Sequence, residues 1–235
     1  MKKGRHLDII AYIRTDFSTK FGVPRQSGLV PELQAEIILE PEYRREEALI
    51  GLEEFSHLWL IWDFSQVSRE NWSATVFPPR LGGKEKRGVF ATRSPFRPNP
   101  IGLSCVKIEK ICYEGEAAPY ILVSGADLMD GTPIYDIKPY LPYTDARPEA
   151  VGGFGQEHSE DHIKVLFPEE LLEKLPVEKR EAAIGVLRQD PRAAYHKGQD
   201  YLYGMAFAGW DIRFTVADGV LEVKDVVPGG SRKVK

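Results

Sequence analysis

Cysteine is nearly missing from this 235-residue chain: only Cys105 and Cys112 occur. So few exclude a disulfide-stapled secreted scaffold. The two stand seven residues apart in or beside one expected strand, where strict alternation puts them on opposite faces. They read as reduced thiols, and neither a disulfide nor a two-cysteine metal site is expected. No run approaches eighteen consecutive apolar residues, and Met1 to His6 has no apolar stretch behind it. Neither a membrane span nor a secretory leader is expected, which points to the cytoplasm. Phosphate-cradling patterns are absent as well: there is no Walker sequence and no Gly-x-Gly-x-x-Gly between a strand and a helix. Any nucleotide-like cofactor must be held by something other than a Rossmann crevice. Among the histidines only His158 and His162 have a spacing that shares a helix face, and their Gly-flanked acidic segment reads as solvated linker, so no metal is expected. Ser94, Ser104 and Ser124 lack the context of a nucleophile elbow. Excess positive charge is lacking too, since the formal net charge is −4, which excludes a uniformly basic nucleic-acid binder.

What is there is concentrated. Arg80 to Arg97 holds six basic residues against the single acid Glu85, a local +5 that leaves −9 for the rest of the chain. That asymmetry fits a focused anionic partner. Within it, the eighteen residues from Arg87 to Ser104 carry three arginines and three prolines. Each proline fixes φ and removes a donor, so Ser94 to Pro100 can be neither helix nor central strand. A stiff, preshaped, cationic loop with an aromatic at Phe96 costs little to order on binding, and its arginines offer forked donors to carboxylate or phosphate.

The composition, 43% hydrophobic and 28% charged, is that of a globular chain with enough apolar residues for a real core. Short apolar runs at Leu7–Arg14, Glu36–Glu40, His57–Phe64, Val89–Thr92, Ile101–Ile111, Tyr120–Ala126 and Ile134–Ile137 read as strands. Glu42 to Phe55 has helical spacing, with Ala48, Leu49 and Leu52 on one face. So many strands and so few helices predict an antiparallel β-barrel. A polar, Gly-rich stretch at 146–160 reads as a linker between a unit at 1–145 and a small α+β unit at 161–228, with a basic tail at 229–235. The second unit opens with a strand at Ile163–Phe167 and helices at Pro168–Leu175 and Glu178–Leu187, and ends in a hairpin turning at Asp218-Gly219.

Several groups are candidates for chemistry: the polar cluster Pro24-Arg25-Gln26, the acidic turn Asp127 to Asp130, and the Pro/Tyr-rich stretch holding Tyr135, Tyr140 and Tyr143 as a stacking surface. Asp130 reads mainly as turn chemistry and Asp127 equally as turn or site. His57 reads as a hydrogen-bonded core residue, and the four tryptophans as mostly core. Together the groups suit a pocket for a charged small molecule beside a groove for nucleic acid.

The motifs Pro24-Arg-Gln26, Phe55-Ser-His-Leu-Trp59, Pro78-Pro-Arg-Leu-Gly-Gly83, the run from Gly88 to Gly102, and Asp127-Leu-Met-Asp-Gly-Thr-Pro133 followed by Asp136-Ile-Lys-Pro-Tyr-Leu-Pro142 resemble the TrmO (TsaA-like) family. Asp190-Pro-Arg-Ala-Ala-Tyr195 is similar to the C-terminal domain of its bacterial members. The resemblance implies a homodimeric tRNA methyltransferase with a β-barrel catalytic domain. It would use S-adenosylmethionine to methylate N6 of N6-threonylcarbamoyladenosine beside the anticodon. It also implies a cofactor pocket of Pro24, Arg25, Gln26, Ser65, Gln66, Arg93, Leu103 and the turn Ser124, Gly125, Ala126 and Asp127. Some members carry His where this chain has Ser65, so no imidazole stands there, and no general base is named. Arg80, Lys84, Lys86, Arg87 and Arg97, with Arg192, His196 and Lys197 from the small unit, would grip the anticodon stem-loop. A non-catalytic RNA-binding barrel and a methyltransferase of a small metabolite are the alternatives. Retention of Pro24-Arg-Gln26, Arg93 and the Asp127 turn argues against the first, and deletion of 161–235 is expected to discriminate a tRNA substrate from the second: a tRNA enzyme would lose tRNA methylation with cofactor binding intact, and a metabolite enzyme would keep its activity.

Overall fold

The computed structural model describes residues 6–67, 70, 72–155, 162–192 and 201–229. Strands β1 (Ala11–Arg14), β2 (Gln34–Leu39), β3 (His57–Asp63), β6 (Ile101–Cys112), β7 (Tyr120–Ser124) and β8 (Thr132–Pro139) close a barrel in the order β1-β2-β7-β6-β3-β8. Every neighbouring pair is antiparallel. Period-two alternation builds it: Ala11 and Ile13, Ala35 and Ile37, Leu58 and Leu60, Ile121 and Val123 all point inward and are buried. Two-residue strands β4 (Thr75–Val76) and β5 (Arg87–Gly88) pair within the long β3–β6 connection.

After a short helix α1 (Pro142–Asp145), the chain forms β9 (Lys164–Leu166), helices α2 (Glu169–Leu172) and α3 (Val177–Arg188), and strands β10 (Tyr203–Phe207), β11 (Trp210–Ala217) and β12 (Val220–Pro228). Their sheet runs β10-β11-β12-β9, with β9 parallel to β12. The mainly β architecture with an α+β C-terminal unit thus matches the expectation.

The two cores do not divide where the sequence does. Phe17, Val30 and Leu33, from the β1–β2 loop, are buried with Leu175, Ala183, Val186, Met205 and Phe214 of the C-terminal unit. Asp16 is ion-paired to Lys179 at 2.6 Å, and its carbonyl accepts from Ala208 N at 2.9 Å. The loop at 15–33 is therefore a layer shared by both units.

Several local expectations are corrected. Glu42 to Phe55 is not an α-helix but two 3-10 turns, Glu46–Ala48 and Leu52–Glu54, separated by Gly51 at φ +83°, a left-handed residue that no helix continues through. Val89–Ala91 is a 3-10 turn rather than a strand, with only Val89 buried. Cys105 and Cys112 share the outer face. A bulge between Ile108 and Lys110 inserts one residue and flips the parity of alternation, so Cys112 pairs with outward Tyr120 while Ile111 takes the inward place opposite Ile121. Of the tryptophans only Trp62 lies in the barrel core. Trp59 faces outward and donates to Asp145 Oδ2 at 2.9 Å, and Trp72 is exposed. His57 is not a core residue either: it sits on the outer face, with Nδ1 2.9 Å from Ser56 Oγ and its ring edge on Tyr140. Tyr140 also packs on Trp59, whereas Tyr143 is largely open to solvent. Among the described residues, no helix is long and apolar enough to cross a membrane, and no cluster of three metal-ligating side chains occurs. His158 lies outside them.

Candidate cofactor site

Trp62 organises one mouth of the barrel. On β3 it stands opposite Gly102 of β6, and its indole lies over that glycine. Its Nε1 donates to Ser104 Oγ at 2.9 Å, and Ser104 donates in turn to Asp127 Oδ1 at 2.5 Å. Three elements, β3, β6 and the turn after β7, are thus joined through one buried hydroxyl. Cavities of about 350 Å³ and about 400 Å³ flank the indole and share Lys20, Val23, Trp62, Phe64 and Asp127.

Ser65 and Gln66 line the first cavity, with Phe96 and Leu128 opposite. Pro24, Arg25, Gln26, Arg93 and Leu103 line the second. Residues nearly eighty positions apart in sequence therefore converge on one cavity. The Pro24–Gln26 segment is fixed by backbone contacts around it: Gly28 N donates to Gly125 O at 2.8 Å, Gly125 N to Leu33 O at 2.8 Å, and Cys105 N to Ser27 Oγ at 3.0 Å. Gly125 sits at φ +75°, with room for no more than a tight Cβ against the Gly28 backbone at 3.3 Å. Gln26 Oε1 accepts from Arg93, which ties the segment to the proline-stiffened loop.

Three of the expected cofactor residues line neither cavity. Ser124 Oγ donates outward to Glu109 at 2.6 Å, an interaction that, with Lys107, holds the Glu109 carboxyl below its ordinary value. Ala126 is buried in the barrel core, and Gly125 acts through its backbone. Conversely, sequence reading missed Lys20, Val23, Trp62, Phe64 and Ser104. The available signal was Gly102, a small residue in an apolar strand, where a large partner ring closes over the backbone.

Asp127 is the electrostatic centre. Burial pushes its carboxyl up from the ordinary value, and hydrogen bonds from Ser104 and from its own backbone, nearby Arg93 and the Ser27 backbone offset this only in part. A folded value above the unfolded one means that the group favours folding below the ordinary carboxylate range, and that this contribution is lost as pH rises through the folded value. Asp127→Asn keeps an acceptor for Ser104 but cannot ionise. The variant should melt higher than the parent at pH 8, with the gain vanishing toward pH 4, while losing cofactor affinity. A melting difference independent of pH would contradict the assignment of a strained carboxylate. Asp130, by contrast, is turn chemistry: it accepts from Thr15 N at 3.1 Å.

The basic residues divide. Lys84 and Lys86 are exposed. Arg97 donates to the carbonyls of Val89 at 3.3 Å and Thr92 at 3.0 Å, so it shapes the loop. Arg87 pairs with Glu85 at 2.8 Å. Arg192 is chelated by Asp190 at 2.8 and 2.9 Å, with only 10% of its side chain exposed, so it is committed within its own turn rather than offered to a phosphate. Nothing in its sequence context separates a chelated arginine from a free one. For Arg80 only the backbone, in the 3-10 turn Pro79–Leu81, is described, and His196 and Lys197 lie outside the described residues.

Residues 12–146 match the tRNA-methyltransferase O N-terminal domain, and residues 160–229 the TrmO C-terminal domain. The chain belongs to the TrmO family. It is 41% identical over 230 residues to a tRNA (adenine(37)-N6)-methyltransferase of Escherichia coli, covering 93% of this chain and 96% of that one. It is 36% identical over 138 residues to a probable S-adenosyl-L-methionine-binding protein of Pyrococcus abyssi, covering 59% and 69%. The crystal structure of TrmO from Pseudomonas aeruginosa superposes with a TM-score of 0.75 at 34% identity, covering 96% of this chain and all of that one.

Proposed function

We propose that this TrmO-family chain is an S-adenosylmethionine-dependent methyltransferase acting on N6 of adenosine 37 of tRNA, with N6-threonylcarbamoyladenosine as the acceptor. The observation that carries it is the half-buried, cation-seeking Asp127 in an aromatic-floored cleft, within a chain matched to this family in both parts. The donor set fits the cofactor. Trp62, Phe64 and Val23 give apolar walls for a nucleoside, Asp127 a carboxylate for a cationic group, and Arg25, Lys20 and Arg93 partners for a carboxylate.

S-adenosylmethionine supplies an electrophilic methyl on a sulfonium, open to in-line displacement. The protein's contribution is positioning. Trp62 and Phe64 pack 4.3 Å apart and keep water from the barrel side of the cleft. Gln26 and Arg93 lock the two loops that form its rim. The Ser104 hydroxyl accepts from Trp62 Nε1 and donates its proton to Asp127, which fixes the carboxylate. Assembly as a homodimer belongs to the same proposal.

The test is incubation of the purified protein with S-adenosylmethionine and bulk tRNA, followed by nucleoside mass spectrometry. A gain of one methyl mass on threonylcarbamoyladenosine, absent from tRNA lacking that modification, is the expected result. Cofactor binding without any gain would point to a different acceptor, and no cofactor binding to an RNA-binding module.

A further inference from the structure

We propose that the groove beside the cofactor cleft receives the acceptor nucleoside itself, turned out of the anticodon loop, with its base on the Phe77 and Phe154 rings. The inference rests on the proposed function and deepens it. A cavity of about 780 Å³ opens on the other side of the Gln26–Arg93 contact, walled by Phe77, Phe96 and Phe154 and rimmed by Arg25 and Arg93. Phe77 is 51% and Phe96 45% exposed, so folding leaves these rings in water on a segment stiffened by Pro78, Pro79 and Pro95. Rigid aromatic surface held open in this way is built for contact with something other than the protein's own core.

Charge selects the occupant. Lys86 Nζ lies 5.7 Å from the Phe77 ring centroid and Arg87 Cζ 5.9 Å from that of Phe154. No carboxylate lines the groove among the described residues. Aromatic faces flanked by cations, with the nearby acid Glu85 already paired to Arg87, suit a base that carries negative groups, here phosphate and the threonyl carboxylate. Chemistry on a base also demands that the base leave its stack, and a groove sharing Arg25, Gln26 and Arg93 with the cofactor cleft brings it within reach of the donor.

The test uses the full chain with Phe77→Ala and Phe154→Ala made singly, and Phe77→Trp as the conservative variant. S-adenosylmethionine binding is measured by calorimetry, molecular mass by light scattering, and methyl transfer on threonylcarbamoyladenosine-bearing tRNA by steady-state kinetics. Cofactor affinity and mass should stay at the parent values, kcat/KM should fall about ten- to hundredfold in the alanine variants, and tryptophan should restore most of it. Alanine variants with parental kcat/KM overturn the inference while leaving the proposed function standing. Loss of cofactor binding, or a change in molecular mass, overturns it by making the groove a structural surface or a contact between copies. A parent protein that transfers no methyl to tRNA overturns both.

Discussion

A chain ending at residue 160 is expected to lose S-adenosylmethionine binding, not merely tRNA recognition. Phe17, Val30 and Leu33 are 1%, 2% and 3% exposed, and all three are buried against the C-terminal unit. Burying such side chains is worth roughly 1.5–3 kcal/mol each, as an upper estimate. For three, that is a large part of the ~5–15 kcal/mol that holds a domain together. The fit is close: a Cβ on Gly185 would come within 2.7 Å of Val30, and Gly22, at φ +99°, faces Met205 Sδ. The same truncation removes the carbonyls of Asp190 and Arg192, which accept from Arg25 at 3.4 Å each. The strand-free loop carrying Pro24, Arg25 and Gln26 would then keep only its barrel-side contacts. Calorimetry on the truncated chain should give an affinity at least about tenfold weaker, or an aggregated product, since apolar surface of this extent is left exposed. Parental cofactor affinity in a monodisperse truncated protein would show that the loop is ordered by the barrel alone. The deletion therefore does not separate a tRNA substrate from a small acceptor in the way that linear sequence suggests.

The second large effect is at Gly102. A Cβ there runs into the six-membered ring of Trp62. The indole cannot swing aside without breaking its bond to Ser104, and with it the chain that orients Asp127. Gly102→Ala should cost about 1–3 kcal/mol, as overpacking of a filled core does, and lower the melting temperature by about 2–10 °C. Because the same ring floors both cavities, cofactor affinity should fall with it. Thermal melts and tryptophan fluorescence read the first effect, and calorimetry the second. A variant matching the parent in all three would mean that the backbone gives way at little cost.

The barrel was legible from residues alone, because inward positions such as Leu58, Leu60 and Trp62 alternate with outward ones and the alternation survives in most strands. So was the stiff loop, since prolines act on φ locally, whatever surrounds them. The motif at Pro24–Gln26 and the acidic turn at Asp127 could be picked out as candidates for the same reason: both are short, polar and out of keeping with their apolar neighbours. Tertiary structure alone decided the rest. A single extra residue near Glu109 reversed the facing of Cys112, because parity is counted along the whole strand and a bulge cannot be seen in composition. Arg97 and Arg192 read as free cations, yet one holds backbone carbonyls and the other a neighbouring carboxylate. Charge marks a residue as able to bind an anion, and geometry determines whether its own chain has already supplied one. Asp127 keeps the bond to its own backbone that turn chemistry predicts, and became a desolvated carboxylate as well only when its surroundings, with Ser104 of another strand, closed around it, because desolvation depends on what surrounds a group in space and not on its neighbours in sequence.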